Sequence, residues 1–432
     1  MESTAPPHLS DVAASGPAAG GVGGVGDAGN AGDLEAALRP AWVDVDLDAL
    51  DHNLRRLRAE LGSSGAQLMA VVKADAYGHG AVGVSRALAA AGVDWLGVAL
   101  LEEGAEVRRA GVEVPILVLG TARPAKIALY RRYRLTPTVS SLAELALWSD
   151  WARGEDQAVP VHLKVNTGMS RLGVAMEEAA EALDRIRRHP RLRLAGLLSH
   201  FADADDLESP RNTLQEDRFA EVLALLTAQE RDGVLVHMAN SAAALHRPGS
   251  HFALARLGIA LYGQDPAERM DGPPVQPGPD LRPVLHPVMA VKARIVHLRD
   301  VPAGTPLSYG GRTVTRRQSR IAVVPVGYAD GYAWRLTGKA EALVRGRRVP
   351  VAGSVTMDMT LLDVTETGAE LGEEVVLLGR QGREEVSALE LAAHAGTISW
   401  EILCHLGLRL PRRYLRGGEV EELVSRFSRE DA

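Results

Sequence analysis

Alternation is the feature that most constrains this chain. Between Arg39 and Pro283, short runs rich in apolar and β-branched residues take turns with longer stretches whose apolar positions recur at helical spacing. The short runs are Leu68–Ala74, Trp95–Leu100, Val114–Gly120, Thr136–Ser140, Val159–Asn166, Leu192–His200, Val234–Ala239 and Ala255–Ile259. Ala81–Ala91, Leu101–Ala110 and Glu177–Arg188 are helical stretches between them. Eight strands with intervening helices match an α/β fold of the (β/α)8 TIM-type barrel in count and length. A doubly wound sheet has the same periodicity and is the competing arrangement.

Polar residues gather where the runs end: Lys73, Lys164 with Asn166, His200, Asn240 with Ser241, and Arg256. In a barrel the carboxyl ends of the strands are where ligands bind, so this coincidence favours an enzyme over a scaffold. Lys73 stands out, because a cationic amine finishing a buried strand is costly unless paired, deprotonated or used. Desolvation lowers a lysine pKa, and a neutral amine can condense with a carbonyl. Taken singly, each residue has a plainer reading. Lys73 is then a lysine snorkelling from a strand end, His200 a satisfied buried histidine, and Arg256 a surface or salt-bridging arginine. Gly258 is a turn glycine, and Tyr309 beside Gly310-Gly311 a turn aromatic.

Gln264 to Pro287 is dense in Pro, Gly and Asp and marks a linker. Beyond it come alternating strands punctuated by turns, at Val288–Leu298, Arg320–Val326, Arg347–Val355, Thr360–Val364 and Glu374–Leu378, with a helix near Ser387–Ala395. The expected organisation is a Gly/Ala-rich disordered tail over 1–38, a barrel over 39–280 and a mostly β C-terminal domain over 281–432. The first 33 residues hold no aromatic residue, Lys or Arg, lack the marks of a secretory signal, and bury too little to offset ordering entropy. An over-long start assignment is the other reading of that segment.

A formal charge of −7, with no basic run interleaved with aromatics, argues against nucleic acid. No run approaches about 18 successive apolar residues, which argues against a membrane span. The single cysteine, Cys404, excludes an intramolecular disulfide and a multi-cysteine metal site. The 13 histidines show no ligand spacing with carboxylates, so no metal is expected. A cytoplasmic protein acting on a small molecule is the expectation.

Several motifs belong together. Ala70-Val71-Val72-Lys73-Ala74-Asp75-Ala76-Tyr77-Gly78-His79-Gly80 closely resembles the cofactor-lysine signature of alanine racemases, which use pyridoxal 5′-phosphate on a barrel with a C-terminal β-domain. The resemblance continues through Lys164-Val165-Asn166-Thr167-Gly168-Met169-Ser170-Arg171-Leu172-Gly173, Ser199-His200-Phe201-Ala202 and His237-Met238-Ala239-Asn240-Ser241-Ala242-Ala243. It includes Arg256-Leu257-Gly258-Ile259-Ala260-Leu261-Tyr262-Gly263, Leu307-Ser308-Tyr309-Gly310, Gly327-Tyr328-Ala329-Asp330-Gly331 and Met357-Asp358. One such match is weak; this many, in the family's order over about 39–415, is not.

The resemblance implies a role for each matching residue. Lys73 is the cofactor-bearing lysine and, once released, a base on one face of the substrate α-carbon. Tyr309 is the opposite base, reaching in from the partner of a homodimer, with His200 and Arg256 tuning a phenol whose reference pKa is about 10. Tyr77 and Ser241 contact the phosphate, and Gly258 and Ile259 add backbone N–H groups where the last strand turns. Arg256 donates to the pyridine nitrogen, which leaves that nitrogen unprotonated and the ring a weaker electron sink. Arg171 and the Met357 backbone N–H take the substrate carboxylate, and Lys164 is often carbamylated in the family to buttress the arginine. D-alanine for peptidoglycan synthesis is the implied product.

Two departures stand out. Thr397-Ile398-Ser399-Trp400-Glu401 carries Trp where the family usually has the Tyr that reaches the phosphate and narrows access, and Thr356 stands where Cys is common. The change at Trp400 makes a racemase of broader range, taking serine for example, an alternative, and a non-catalytic pyridoxal-phosphate carrier is an alternative of a different class. A pyridoxal-phosphate decarboxylase shares the architecture but has different motifs.

Overall fold

The computed structural model describes residues 39–62, 64–267 and 284–425. The expected tail over 1–38 and the centre of the expected linker, 268–283, lie outside the described residues. Strand β1 (Ala41–Asp46) leads directly into helix α1 (Leu47–Leu61), whose start is fixed by the Asp46 carboxylate accepting from the Ala49 N–H at 2.9 Å. The barrel strands follow: β2 (Gln67–Val71), β3 (Trp95–Val98), β4 (Ile116–Val118), β5 (Leu135–Val139), β6 (Val159–Lys164), β7 (Leu192–Leu198), β8 (Leu235–His237) and β9 (Leu254–Leu257). Helices α2 (Ala81–Ala90), α3 (Leu101–Arg109), α4 (Ile127–Arg132), α5 (Leu142–Ala152), α6 (Ala179–Arg188), α7 (Pro210–Ala224), α8 (Ala228–Gly233) and α9 (Ser241–His246) lie between them.

All eight strands are parallel, in the order β8-β7-β6-β5-β4-β3-β2-β9. The N–H groups of Ala253 and Arg256 reach the Val236 and Ala239 carbonyls at 3.0 and 3.1 Å, which brings β9 back against β8. A doubly wound sheet would reverse its order at a switch point, whereas this one runs in one direction and returns on itself. The fold is the (β/α)8 barrel.

The hydrogen-bonded strands stop before the apolar runs do. β2 ends at Val71 rather than Ala74, β7 at Leu198 rather than His200, and β9 at Leu257 rather than Ile259. Val72, Met238 and Ala239 just beyond the ladders are still fully buried, so the sequence stays apolar where the chain has already left the sheet.

A mostly β region follows, built from β10 (Met289–Arg294), β11 (His297–Val301), β12 (Pro306–Leu307), β13 (Thr313–Val314), β14 (Ser319–Val324), β15 (Glu341–Val344), β16 (Arg347–Pro350), β17 (Thr360–Asp363), β18 (Glu374–Gln381) and β19 (Glu384–Val386). Helices α10 (Ala388–Ala395) and α11 (Ser399–Cys404) and the hairpin of β20 (Arg412–Arg416) with β21 (Glu419–Val424) complete it. Two expectations are corrected here. The run Val288–Leu298 is two strands in different sheets, β10 pairing with β18 and β11 with β14. Moreover, β1, assigned to the barrel by its position, is a central strand of the second region, antiparallel to β10 and parallel to β20. Local pattern cannot tell which sheet a six-residue strand will join.

What places β1 there is its polar face. The Asp44 side chain is buried, accepts two bonds from Arg413 at 2.7 and 3.2 Å, and lies 3.2 Å from Lys292 Nζ. Trp42 beside it carries the Arg413 guanidinium 4.4 Å from its ring centroid. Among the described residues no helix is long and apolar enough to cross a membrane. Removing one partner of a buried charge cluster strands the other, so Asp44→Ala should lower unfolding stability by about 3 kcal/mol, read from the denaturant midpoint.

Candidate active site

Lys73 does not end a strand. It opens a left-handed turn in which Ala74, Asp75, Ala76 and Tyr77 all have φ between 52° and 55°. Each such residue costs about 1–2 kcal/mol in an L-chain, so the turn persists only because its surroundings hold it. Glu103 at the start of α3 accepts from the Ala74 N–H at 2.7 Å with one oxygen and from Ala99 and Leu100 at 2.7 and 3.0 Å with the other. Asp75 accepts from Ala81 N–H at 2.7 Å and so starts α2. Arg412 donates to the Gly78 carbonyl at 3.0 Å, and the Tyr414 hydroxyl to that of His79 at 3.2 Å, so β20 clasps the turn. Gly78 must be glycine: its φ is 81°, and a Cβ there would lie 2.1 Å from the Leu403 carbonyl oxygen.

The turn delivers Lys73 to a cavity of about 1130 Å³ at the carboxyl end of the barrel. Tyr77, Lys164, Arg171, His200, Ser241, Arg256, Gly258, Ile259 and Trp400 share its wall with Lys73. Four of these are cationic, and none of Lys73, Lys164, Arg171 and Arg256 forms an ion pair among the described residues. Burial, and then Arg171, lowers the Lys73 pKa, while Glu103 opposes the shift. Burial and the Arg256, Arg171 and Lys73 charges bring Lys164 down to about 8. Arg256 is lowered by burial to about 10 and stays charged at neutral pH.

Arg256, at 4 % exposure, is neither a surface nor a salt-bridging residue. Its Nη1 donates to the His237 carbonyl at 3.1 Å and to His237 Nδ1 at 2.9 Å. Its Nη2 donates to the Ser199 and Met238 carbonyls at 2.8 and 3.0 Å and to His200 Nδ1 at 3.0 Å. Both imidazoles are held well below their ordinary pKa by burial and by this guanidinium. The Arg256 Nε–H makes no hydrogen bond among the described residues, so one donor is left for whatever fills the cavity.

On the same cavity wall the chain forms a small polar cradle. The Ser241 hydroxyl accepts from Gly258 N–H at 2.9 Å and Ala260 N–H at 3.4 Å. A Cβ on Gly258 would lie 2.4 Å from the Tyr77 hydroxyl oxygen, so only glycine leaves that phenol its place. Burial raises the Tyr77 pKa, which keeps it a proton donor.

Tyr309 and Met357 are elsewhere, 77 % and 53 % exposed on the second region. Tyr309 borders a shallow hollow with Tyr328 and Trp334, which are also exposed. Sequence reading missed Glu103, Arg412 and Cys404, which lie beside Lys73 or its turn. Glu103 at a helix start was the one visible signal.

The barrel, its β region and an anion-ready cavity ringed by unpaired cations define a barrel enzyme built to hold a negatively charged group. Residues 45–266 match the model of the alanine racemase N-terminal domain, and residues 288–414 that of its C-terminal domain. The chain belongs to the alanine racemase family, a family of isomerases. It is 44 % identical to the alanine racemase of Syntrophobacter fumaroxidans over 85 % of this chain and 95 % of that one. The structure of the Bacillus anthracis alanine racemase with bound L-Ala-P is 36 % identical, with a TM-score of 0.79 over 90 % of this chain and 98 % of that one. That of the Bartonella henselae enzyme, with covalently bound pyridoxal phosphate, is 29 % identical, with a TM-score of 0.76 over 87 % of this chain and 99 % of that one.

A lysine whose folded pKa of about 8 lies below its unfolded value near 10.4 carries a charging penalty in the folded state. That penalty is complete below pH 8 and disappears as pH rises toward the unfolded value, so stability increases across that window. In carbon-dioxide-free buffer without cofactor, Lys164→Met should raise the melting temperature at pH 7 and flatten its rise between pH 8 and 10, measured by thermal scans.

Proposed function

We propose that this chain is a pyridoxal-5′-phosphate-dependent alanine racemase that interconverts L- and D-alanine by two-base proton transfer, at sites completed across a homodimer. The observation that carries the reading is the buried Arg256, whose one spare donor, the Nε–H, faces a cavity of unpaired cations. A dianionic phosphate and a ring nitrogen that only accepts fit these partners. Tyr77, Ser241 and the backbone at Gly258 and Ile259 would hold the phosphate, Arg256 the ring nitrogen and Lys73 the carbonyl carbon. When bound, the cofactor supplies the carbonyl to which an amine attaches and the conjugated ring that draws charge from the substrate α-carbon.

The remaining roles belong to the chain. The Lys73 amine, its pKa lowered by burial, takes or returns the α-proton on one face of the substrate. The partner subunit's Tyr309 does so on the other. The exposure of Tyr309, Tyr328, Trp334 and Met357 supports this, since a large exposed apolar patch is what an interface leaves on a separated chain. Arg171 and the partner subunit's Met357 backbone N–H would orient the substrate carboxylate. Lys164 near its neutral form can add carbon dioxide, losing a proton to become a carbamate, and the new anion would pair with Arg171. Supply of D-alanine to peptidoglycan synthesis, in a cytoplasmic enzyme, completes the reading.

Trp400 favours a second reading. Its half-buried indole lines the cavity where the family's phenol would narrow access, so serine and other small amino acids are further substrates to test.

Lys73→Ala should abolish both the cofactor absorbance band and racemisation, and Tyr309→Ala should abolish racemisation with the band retained. Dissociated and remixed in equal amounts, the two dead variants should regain about a quarter of parental activity, because each mixed dimer carries one intact site. Mixing without recovery would contradict shared sites. Full activity in Tyr309→Ala would remove Tyr309 as the second base, and a parent that forms the cofactor band without racemising would favour the carrier.

A further inference from the structure

His162 lies in the barrel interior, fully buried and away from the cavity wall. Its Nδ1 is 2.9 Å from His237 Nε2, the ring nitrogen of His237 that faces away from Arg256. Two features bring the rings together. The register of β6 against β7 shifts between Val161 and His162, and the residue of β7 beside His162 is Gly196. A Cβ on Gly196 would lie 2.2 Å from His162 Nδ1. Glycine in the middle of an apolar strand marks such a close approach, and here it lets an imidazole from β6 lean across β7 to one on β8.

Donor and acceptor chemistry then determines every proton in the chain of rings. A guanidinium has donors only, so His237 Nδ1, which faces Arg256 Nη1, must be bare. A neutral His237 therefore carries its proton on Nε2 and donates it to His162 Nδ1. His162 Nδ1 is in turn bare, and its proton sits on Nε2, which has no hydrogen-bond partner among the described residues. The Trp95 ring lies 5.7 Å from the His162 ring. Burial, aided by Arg193 and Arg256, takes the His162 pKa to about 3, so the ring is neutral across the working range.

We infer that His162 is a positioning residue for the reaction: by accepting from His237 Nε2 it fixes the tautomer of His237, and so holds the Arg256 guanidinium with its Nε–H aimed into the cavity. Without that acceptor, the buried His237 Nε2–H is orphaned. Its escape is to carry the proton on Nδ1, which sets donor against donor at Arg256 and turns the guanidinium away. This rests on the proposed role of Arg256 toward the cofactor ring, whereas the tautomer itself does not.

The experiment is 15N NMR of histidine-labelled, cofactor-loaded protein, comparing the parent with His162→Leu and His162→Asn. The Asn amide oxygen can take the place of Nδ1 as acceptor. In the parent, His237 should be neutral with its proton on Nε2. His162→Leu should give His237 an Nδ1–H population, shift the cofactor absorption band and lower kcat about tenfold with little change in KM, and His162→Asn should restore all three. A parent His237 protonated on Nδ1 would overturn the inference without any variant. So would a Leu variant that keeps the parental tautomer, band and kcat and loses only thermal stability. Failure of the parent to bind pyridoxal phosphate would be seen first, by titration, and would overturn the functional reading while the parental tautomer still decides the relay.

Discussion

A buried guanidinium with no carboxylate among the described residues to neutralise it is the constraint on which the rest of this structure depends. Arg256 can sit inside the barrel only if its Nη donors find acceptors that leave it charged. The acceptors are the Ser199, His237 and Met238 carbonyls and two imidazoles. The Ser199 and Met238 carbonyls lie just past the ends of β7 and β8, at Leu198 and His237, and the His237 carbonyl also accepts from the Ser199 N–H at 3.3 Å. The early end of each strand is thus part of how the cavity acquires its charge.

The second constraint is the strained turn at Lys73. Four residues in the left-handed region are held by Glu103 from one side and by Arg412 and Tyr414 from the other. The latter two sit on β20, which pairs with β1, and β1 is tied to β20 and β10 through Asp44, Arg413 and Lys292. The reactive amine and the packing of the β region on the barrel are therefore mechanically linked. Flexibility at the junction would be felt as misplacement of Lys73, with no change in its immediate contacts.

Much of the barrel was legible because strands buried on both faces write themselves as unbroken apolar runs. The carboxyl ends of those runs were read too long, since a residue such as Met238 is apolar for burial and not for pairing. Local motifs singled out Lys73, Tyr77, Arg171, Ser241 and Arg256, which share one cavity wall. What stayed hidden was partnership across distance. Nothing near Trp42 and Asp44 says that their strand joins residues 412–416, and Glu103 reads as an ordinary first-turn carboxylate until the Ala74 N–H is seen beside it. His162 likewise needs Gly196 and His237 before it means anything, and only the barrel's register supplies them.

The most direct test of two-base racemisation is to follow optical rotation and α-proton exchange together, with purified protein, pyridoxal phosphate and L-alanine in D2O. Loss of rotation with deuterium appearing at Cα is the expected result, and the same run with L-serine sets the breadth that Trp400 allows. Exchange with the rotation preserved would contradict it, because one base would then be working alone.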